Sequence, residues 1–316
     1  MKRSAILLAL LLLAASCEKV PRTAQEQYRA GVEAAAKGDW GRSAYLLKKA
    51  LQGNLTPKQQ EIATITLANA YFNDKDFENA ALNYEEFLQL YPASPKAREA
   101  LFRLGVCYLN LTKGPQWDVT FAKKAYEIFK EYLKKYPNGP EAEKAKLYAK
   151  IAKKILAEHE LYVGGTYDML HKFTASIQRY SDAQRRFGSV EAPDRLLYLL
   201  GRAYYYTPIQ SKEEIERLKE AEEKAKERLR SKNPDEVRVG KYRLKLLKEE
   251  ERRWRELAEK NREKGKELLS ELIERYPNSP YAKKAKEILE GKKHLEVEPV
   301  QNPLKRSIWW KIKETF

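Results

Sequence analysis

The sequence predicts an all-α protein built as an array of stacked helix pairs, and three observations carry that expectation. A pattern of small, aromatic and proline residues recurs in one register along the chain, which is the signature of a repeat architecture. Apolar residues fall at helical spacing, and much of the 34% charged content is Lys and Glu on the faces between them. Of the two cysteines, only Cys107 lies in the body of the chain, at a small apolar position, so no internal disulfide is available and the fold must hold by packing.

The first element is a leader. Met1-Lys2-Arg3 is basic, and Ala5 to Ala15 is an apolar run of eleven residues. A membrane-spanning helix needs about 20 apolar residues, so this run is too short to cross a bilayer. A basic start, a short apolar core and small residues before a break are the parts of a secretory signal. The break, Ala14-Ala15-Ser16-Cys17, resembles a bacterial lipobox, with Ala14 where Leu is usual. That resemblance implies cleavage before Cys17 and acylation of Cys17. Several acyl chains, at about 0.8 kcal/mol per buried methylene, would anchor the chain firmly. Glu18, in place of an aspartate, favours the outer membrane. An ordinary signal peptide with a chance cysteine is the alternative. On this reading residues 1–16 are a signal peptide and 17–23 a tether, and the 300 residues left from 316 suffice for a core.

The repeat comes next. Leu67-Ala68, Tyr71, Asp76-Phe77, Ala80, Tyr84, Leu88 and Pro92 are spaced so that small residues meet where two antiparallel helices cross. The aromatics fill the gaps, and the proline stops the second helix. This spacing resembles the tetratricopeptide repeat. Gly31, Gly38-Asp39-Trp40, Ser43 and Ala50-Leu51 mark a weaker first repeat. Leu104-Gly105, Tyr108, Ala125, Phe129, Leu133 and Pro137 mark a third, with a longer turn in which Asp118 is placed to cap the second helix. Val163-Gly164, Tyr167, Phe173, Ser176 and Tyr180 mark a fourth. Leu200-Gly201 and Tyr204 open a fifth, which closes with Leu269, Leu272, Ile273 and Pro277. The expectation is a tetratricopeptide-repeat solenoid of five helix pairs, with a long helical-hairpin insertion in the fifth repeat. Repeats one to three occupy 24–139, repeat four and the first helix of repeat five 140–207, and the second helix of repeat five with a C-terminal helix 263–290.

The insertion is placed at 208–262. Ser211 and Glu214 read as a capping box that starts a new helix. Ile215, Leu218, Ala225 and Leu229 follow at helical spacing, Asn233-Pro234 starts the return, and Val239, Tyr242, Leu246, Trp254 and Leu257 read as its apolar stripe. After Gly291 the pattern ends. Residues 291–316 form a basic tail in which Trp309 and Trp310 lie among lysines, the composition of a membrane-interface or partner-docking segment. Trp254, Trp309 and Trp310 are the candidate partner-docking residues.

Several stretches are similar to the BamD (ComL) family of outer-membrane lipoproteins. They are Phe129-Lys130-Glu131-Tyr132-Leu133 with Tyr136-Pro137-Asn138, and Ala157-Glu158-His159-Glu160-Leu161-Tyr162-Val163-Gly164. Ala175, Ile177, Gln178, Arg179 and the run from Tyr276 to Ala282 follow. The block from Ala157 to Gly164 is the most specific, because a generic repeat requires neither His159 nor Glu160. The resemblance implies a non-enzymatic scaffold of the β-barrel assembly machinery, held by lipid at the periplasmic face of the outer membrane. It implies docking on the periplasmic domains of BamA, alongside other assembly-machine subunits, mainly through the C-terminal repeats. It also implies that unfolded outer-membrane proteins are received in the N-terminal repeats. The hairpin and the Trp tail depart from the family pattern at the end where BamA is expected.

In a repeat array the first helix of each pair faces the groove. In repeats one to three those positions include Tyr28, Ile65, Asn69, Phe72, Asn73, Phe102 and Asn110, with Arg103 adjacent. Aromatics there would take apolar side chains of an extended client, the asparagines its backbone, and Arg103 its terminal carboxylate. Ordinary groove residues without a ligand are the alternative. The three histidines, His159, His171 and His294, have no neighbours at metal-ligand spacing, and there is no phosphate loop or nucleophile elbow, so no metal, cofactor or catalysis is expected. The formal charge of +16 would suggest nucleic acid in a cytosolic protein, but in a tethered envelope protein it points to anionic head groups or acidic proteins. A periplasmic repeat adaptor coordinating peptidoglycan and outer-membrane assembly is the second functional reading.

Overall fold

The computed structural model of the protein describes residues 21–296, 298–299 and 301–303. Cys17, Trp309 and Trp310 lie outside the described residues, and so do the leader and the basic tail beyond Pro303. The described residues form eleven helices and no strand. They are α1 Ala24–Ala36, α2 Trp40–Ala50, α3 Pro57–Asn73, α4 Phe77–Leu90, α5 Ala97–Leu111, α6 Thr120–Lys135, α7 Ala142–Met169, α8 Phe173–Phe187, α9 Pro193–Leu229, α10 Pro234–Arg275 and α11 Pro280–Leu289. Successive helices pair as tetratricopeptide-like repeats, so the protein is the all-α repeat structure that the spacing predicts.

Local chemistry sets the helix ends. Thr23 and Thr56 each begin a helix with a reciprocal capping box, to Glu26 and Gln59, and Pro57 fills the first helical position after Thr56. Asp39 and Asp76 cap α2 and α4 by accepting from the backbone N–H of Arg42 and Asn79. The turns inside three pairs share one geometry. Gly38, Lys75 and His171 each adopt a left-handed φ, of 77°, 64° and 53°. The next residue's N–H then reaches the carbonyl five residues back, at 2.9 Å in each case: Asp39 to Ala34, Asp76 to Tyr71, Lys172 to Tyr167. This is a Schellman closure of the first helix.

Two units make up the chain: the residues up to Thr112 with Lys124–Ala149, and Lys113–Lys123 with the residues from Lys150 onward. In the first, Leu47, Ala50, Ala63 and Leu67 form one core, and Phe102, Phe129, Tyr132 and Tyr148 form an aromatic cluster with ring centroids 5.6–5.9 Å apart. Cys107 is fully buried there, and burial pushes its thiol well above the ordinary range, consistent with a packing role. In the second unit, Leu161, Phe173, Tyr180, the run Leu196–Leu200, Leu269, Leu272, Ala285 and Ile288 form the core.

The fifth repeat differs from the expectation in how it is extended. Residues 208–262 are not a separate hairpin with its own start. Instead α9 runs unbroken for 37 residues through Pro208, and α10 runs for 42. At 1.5 Å per residue these are rods of about 55 and 63 Å. Ser211 does not cap a helix: it is buried and donates to the carbonyl of Trp254 across the pair, while Glu214 pairs with Lys172. The contact stripe of α10 also departs from the expected one at Val239, Tyr242 and Leu246, while Trp254 and Leu257 are half-buried as expected. Gly240, Asn261 and Gly265 are buried, with Leu244, Leu247, Glu251, Trp254 and Ala258 half-buried between them at helical spacing. At Gly265 the two backbones come so close that no side chain fits, since a Cβ there would lie 2.3 Å from the backbone nitrogen of Tyr205; at Gly240 the approach is tight, with a Cβ 3.0 Å from Leu229 and 3.1 Å from the Ala225 carbonyl. Small residues therefore set the rotation of α10. They turn Val239, Tyr242 and Leu246 outward, to 44%, 65% and 45% exposure.

Candidate polypeptide-binding site

In the first unit, α3 and α5, the leading helices of repeats two and three, lie side by side, and the residues expected to face a groove sort into two groups. Asn69 is the hub of one. Its Oδ1 accepts from the Tyr84 hydroxyl at 2.7 Å and from Nη1 of Arg103 at 3.0 Å. Nη2 of Arg103 pairs with Glu99 at 2.7 Å, and the guanidinium lies over the Phe72 ring, 5.2 Å from its centroid. Asn73 is exposed and donates back to the Asn69 carbonyl; Asn110 does the same to Val106. Ile65 is half-buried one turn before Asn69, and Tyr28 on α1 is half-buried against the core around Leu47. The structure thus brings Asn69, Phe72, Asn73 and Arg103 together.

The second group is turned inward. Phe72 and Phe102 are 4% and 3% exposed, and Phe102 stacks on Tyr148 inside the aromatic cluster. They support the surface rather than offer one, because the small residues of the repeat draw the helices close enough to enclose them. Sequence reasoning missed Glu99 and Tyr84 as parts of the arginine's surroundings. The spacing of Glu99 and Arg103, one helical turn apart, was the available signal. Burial also pushes the Tyr84 hydroxyl well above its ordinary pKa, so it stays a neutral donor to Asn69.

A second exposed surface lies in the other unit, on α10. Trp254 is half-buried, and with Leu246, Glu249, Glu250, Arg253 and Leu257 it lines a shallow hollow of about 400 Å³. Val239 and Tyr242 continue the same outward stripe.

The block from Ala157 to Gly164 also acquires a structural meaning. Three successive polar residues on α7 reach three different neighbours. Glu158 is fully buried and accepts from Nη1 of Arg195 at 2.6 Å. His159 Nδ1 lies 2.8 Å from the Pro115 carbonyl and ties down the loop before α6, where Asp118 accepts from the Thr120 N–H. Glu160 pairs with Arg179 and Arg186 of α8. One helical turn past Gly164, Asp168 is buried between the Tyr180 hydroxyl and Arg202, both at 2.7 Å.

With these contacts in place, the comparison with known proteins can be set against them. The family model YfiO, described as an outer membrane lipoprotein, matches residues 21–218, which takes in both the Asn69–Arg103 surface and the whole Ala157–Gly164 block. The chain belongs to the YfiO family of outer membrane lipoproteins. A tetratricopeptide-repeat model matches residues 247–279, the returning helix of the fifth repeat and the turn after it. Among individual members, the chain is 31% identical to a protein of Aquifex aeolicus (strain VF5) described as outer membrane protein assembly factor BamD, over 89% of this chain and 94% of that one. It is 22% identical to outer membrane protein assembly factor BamD of Caulobacter vibrioides, over 64% of this chain and 70% of the relative. With the protein of that name from Vibrio cholerae it shares 26% identity over 46% of this chain. The YfiO match ends inside α9, so the distal part of the long fifth pair lies beyond it. Among the described residues, no helix is long and apolar enough to cross a membrane, and no group of three His, Cys, Asp or Glu could hold a metal ion.

Proposed function

We propose that this protein is a non-enzymatic scaffold of outer-membrane β-barrel assembly, anchored by acylated Cys17 at the periplasmic face of the outer membrane. It docks on the periplasmic domains of BamA, next to other assembly subunits, and receives unfolded outer-membrane proteins. The observation that carries this reading is family membership across both units, with relatives described as outer membrane protein assembly factors. The two surfaces divide the work. The Asn69–Arg103 surface takes the client: Arg103 binds a terminal carboxylate by exchanging it for Glu99, and Ile65 and Asn73 flank the extended chain. The outward stripe of α10, with Trp254 in its hollow, docks the assembly partner, and Trp309 and Trp310 of the basic tail are the other docking residues.

Affinity recovery of the tagged chain from detergent-solubilised native membranes tests the reading. BamA should dominate the recovered proteins, and Cys17→Ser should leave the chain in the soluble periplasmic fraction. Recovery of cell-wall synthesis proteins in place of BamA would transfer the protein to the adaptor class.

A further inference from the structure

Around the turn that joins α9 to α10, from Lys224 to Lys248, ten Lys and Arg stand against three Asp and Glu. The rest of α10, from Glu249 to Arg275, is balanced, with eight against nine. Cations also collect on one side of the pair. Lys241, Lys245, Lys248, Arg252 and Arg255 recur on α10 at alternating intervals of four and three residues, and all five are exposed. Such intervals keep to one side of a helix, so the five form a row about 21 Å long. On α9, Lys212, Lys219 and Lys226 recur every seven residues and are exposed too. The two rows share one side of the pair, because Lys212, Lys219 and Arg255 line a single hollow of about 440 Å³.

Some of these charges are answered within the arm. Arg252 lies 3.7 Å from Glu256, Arg255 lies 2.6 Å from Glu251, and Lys226 pairs with Glu222 and Glu223. Among the described residues, no carboxylate pairs with Lys212, Lys219, Lys241, Lys245 or Lys248. The row is also distinct from the apolar stripe of the same helix. At 3.6 residues per turn, Lys241, Lys245 and Lys248 stand about 100° or more round α10 from Val239, Leu246 and Trp254.

We propose that this side of the α9–α10 pair is a contact for an anionic phospholipid surface. Three observations favour lipid over an acidic protein. The chain belongs to a family of outer membrane lipoproteins, so a lipid surface is its ordinary neighbour. The cations are spread along an exposed rod and do not converge on one point. Those without a carboxylate are all lysines, compact charges that lack the fork of arginine and suit mobile phosphates better than a fixed carboxylate. An electrostatic contact of this kind is reversible, so it orients a chain that is anchored by other means and does not replace the anchor. It leaves the apolar stripe to the assembly partner, and neither reading depends on the other.

The test is co-sedimentation of the full chain from residue 17 onward, with Cys17→Ser so that no acyl chain contributes. The vesicles are phosphatidylglycerol and phosphatidylcholine in equal parts, or phosphatidylcholine alone. One variant combines Lys241→Gln, Lys245→Gln and Lys248→Gln. A control combines Lys48→Gln, Lys134→Gln and Lys283→Gln, which are exposed lysines of other helices, and makes the same change in net charge. Thermal unfolding verifies that both fold. Each basic residue at an anionic surface strengthens binding about fivefold, so the row variant should bind the mixed vesicles about a hundredfold more weakly than the parent, and the control within about threefold of it. Arginine at the same three row positions should restore parental binding, and salt at about 0.5 M should release the parent. Equal losses in the row variant and the control would reduce the contact to net charge. Undiminished binding by the row variant, equal binding to phosphatidylcholine alone, or no binding by the parent would remove it. Loss of partner recovery from solubilised membranes, with vesicle binding unchanged, would give the row to an acidic protein.

Discussion

Gly164 lies so close beneath the ring of Tyr180 that a methyl group on its Cα would stand 2.3 Å from Cε1. The same meeting recurs in other repeats. Gly31 faces Leu47 at 2.7 Å, Gly105 faces Phe129 at 2.7 Å, and Gly201 faces Leu269 at 3.0 Å, measured from the same imagined carbon. The pattern read in the sequence as small residue and aromatic is one physical object: a large side chain of the second helix seated on a bare backbone of the first.

Gly164→Ala should therefore destabilise the protein by about 1–3 kcal/mol, because the ring of the fully buried Tyr180 has no room to withdraw. Gly41→Ala is the control. Nothing lies within 4 Å of a Cβ there, so the loss of unfolded-state freedom should stabilise the protein by about 0.5–1 kcal/mol. Urea unfolding of both variants checks the sign in each case.

Glu191 gives a pH dependence. It is buried beside Glu158, Lys154 and Arg195, and its Oε1 has no hydrogen-bond partner. Burial first, and then the Glu158 charge, raise its pKa above the ordinary glutamate value. The folded chain thus holds this proton more tightly than the unfolded chain. The stability contributed by Glu191 is greatest below the ordinary glutamate range and falls as pH rises through the raised folded value. Glu191→Gln should match the parent at the acid end of that window and exceed it in melting temperature at neutral pH. A melting-temperature series from pH 4 to 8, about the range in which such a group titrates, reads this directly.

The sequence made the helix pairs legible because the close approach of two helices leaves a trace at fixed spacing, as at Gly105 with Phe129 and Gly164 with Tyr180. It hid what depends on how a helix is rotated. Val239, Tyr242 and Leu246 have the periodicity of a buried stripe, yet Gly240 and Gly265 hold the contact, and at Gly265 only glycine admits the neighbouring backbone. It also hid Lys75 and His171, which take the left-handed turn position that Gly38 fills in the first repeat. Ser211 looked like a cap because a hydroxyl three residues before a glutamate serves equally well to bond a partner helix. At the Asn69–Arg103 surface, the sequence placed Asn69 and Arg103 on one face but could not show that Glu99 and Tyr84 already engage them.

Those partners make the client reading testable at Glu99. If Arg103 takes a terminal carboxylate by releasing Glu99, then Glu99→Gln removes the competitor and should strengthen binding of a free-carboxylate peptide severalfold. Arg103→Ala should weaken that peptide by about tenfold and its amidated counterpart far less. Fluorescence anisotropy with the two peptides checks both. Equal losses for the acid and the amide would leave Arg103 as a brace between Asn69, Glu99 and Phe72.

The outward face of α10 separates docking from stability. Tyr242 and Leu246 are 65% and 45% exposed, so Tyr242→Asp and Leu246→Asp should each change stability by less than about 0.5 kcal/mol. Both put a carboxylate into the apolar stripe that leads to the Trp254 hollow. If that stripe is where the assembly partner sits, each substitution buries an unpaired charge in the interface and should lower partner recovery from solubilised membranes by at least about tenfold. Gly240→Leu acts from the opposite side of the same helix. It has Leu229, Arg228 and the Ala225 carbonyl within 3.3 Å of its first added carbon, so it should loosen the α9–α10 pair and lower the melting temperature. A stripe that serves only as solvated surface would reverse the pattern for the aspartates: full partner recovery, with the partner bound elsewhere on the chain.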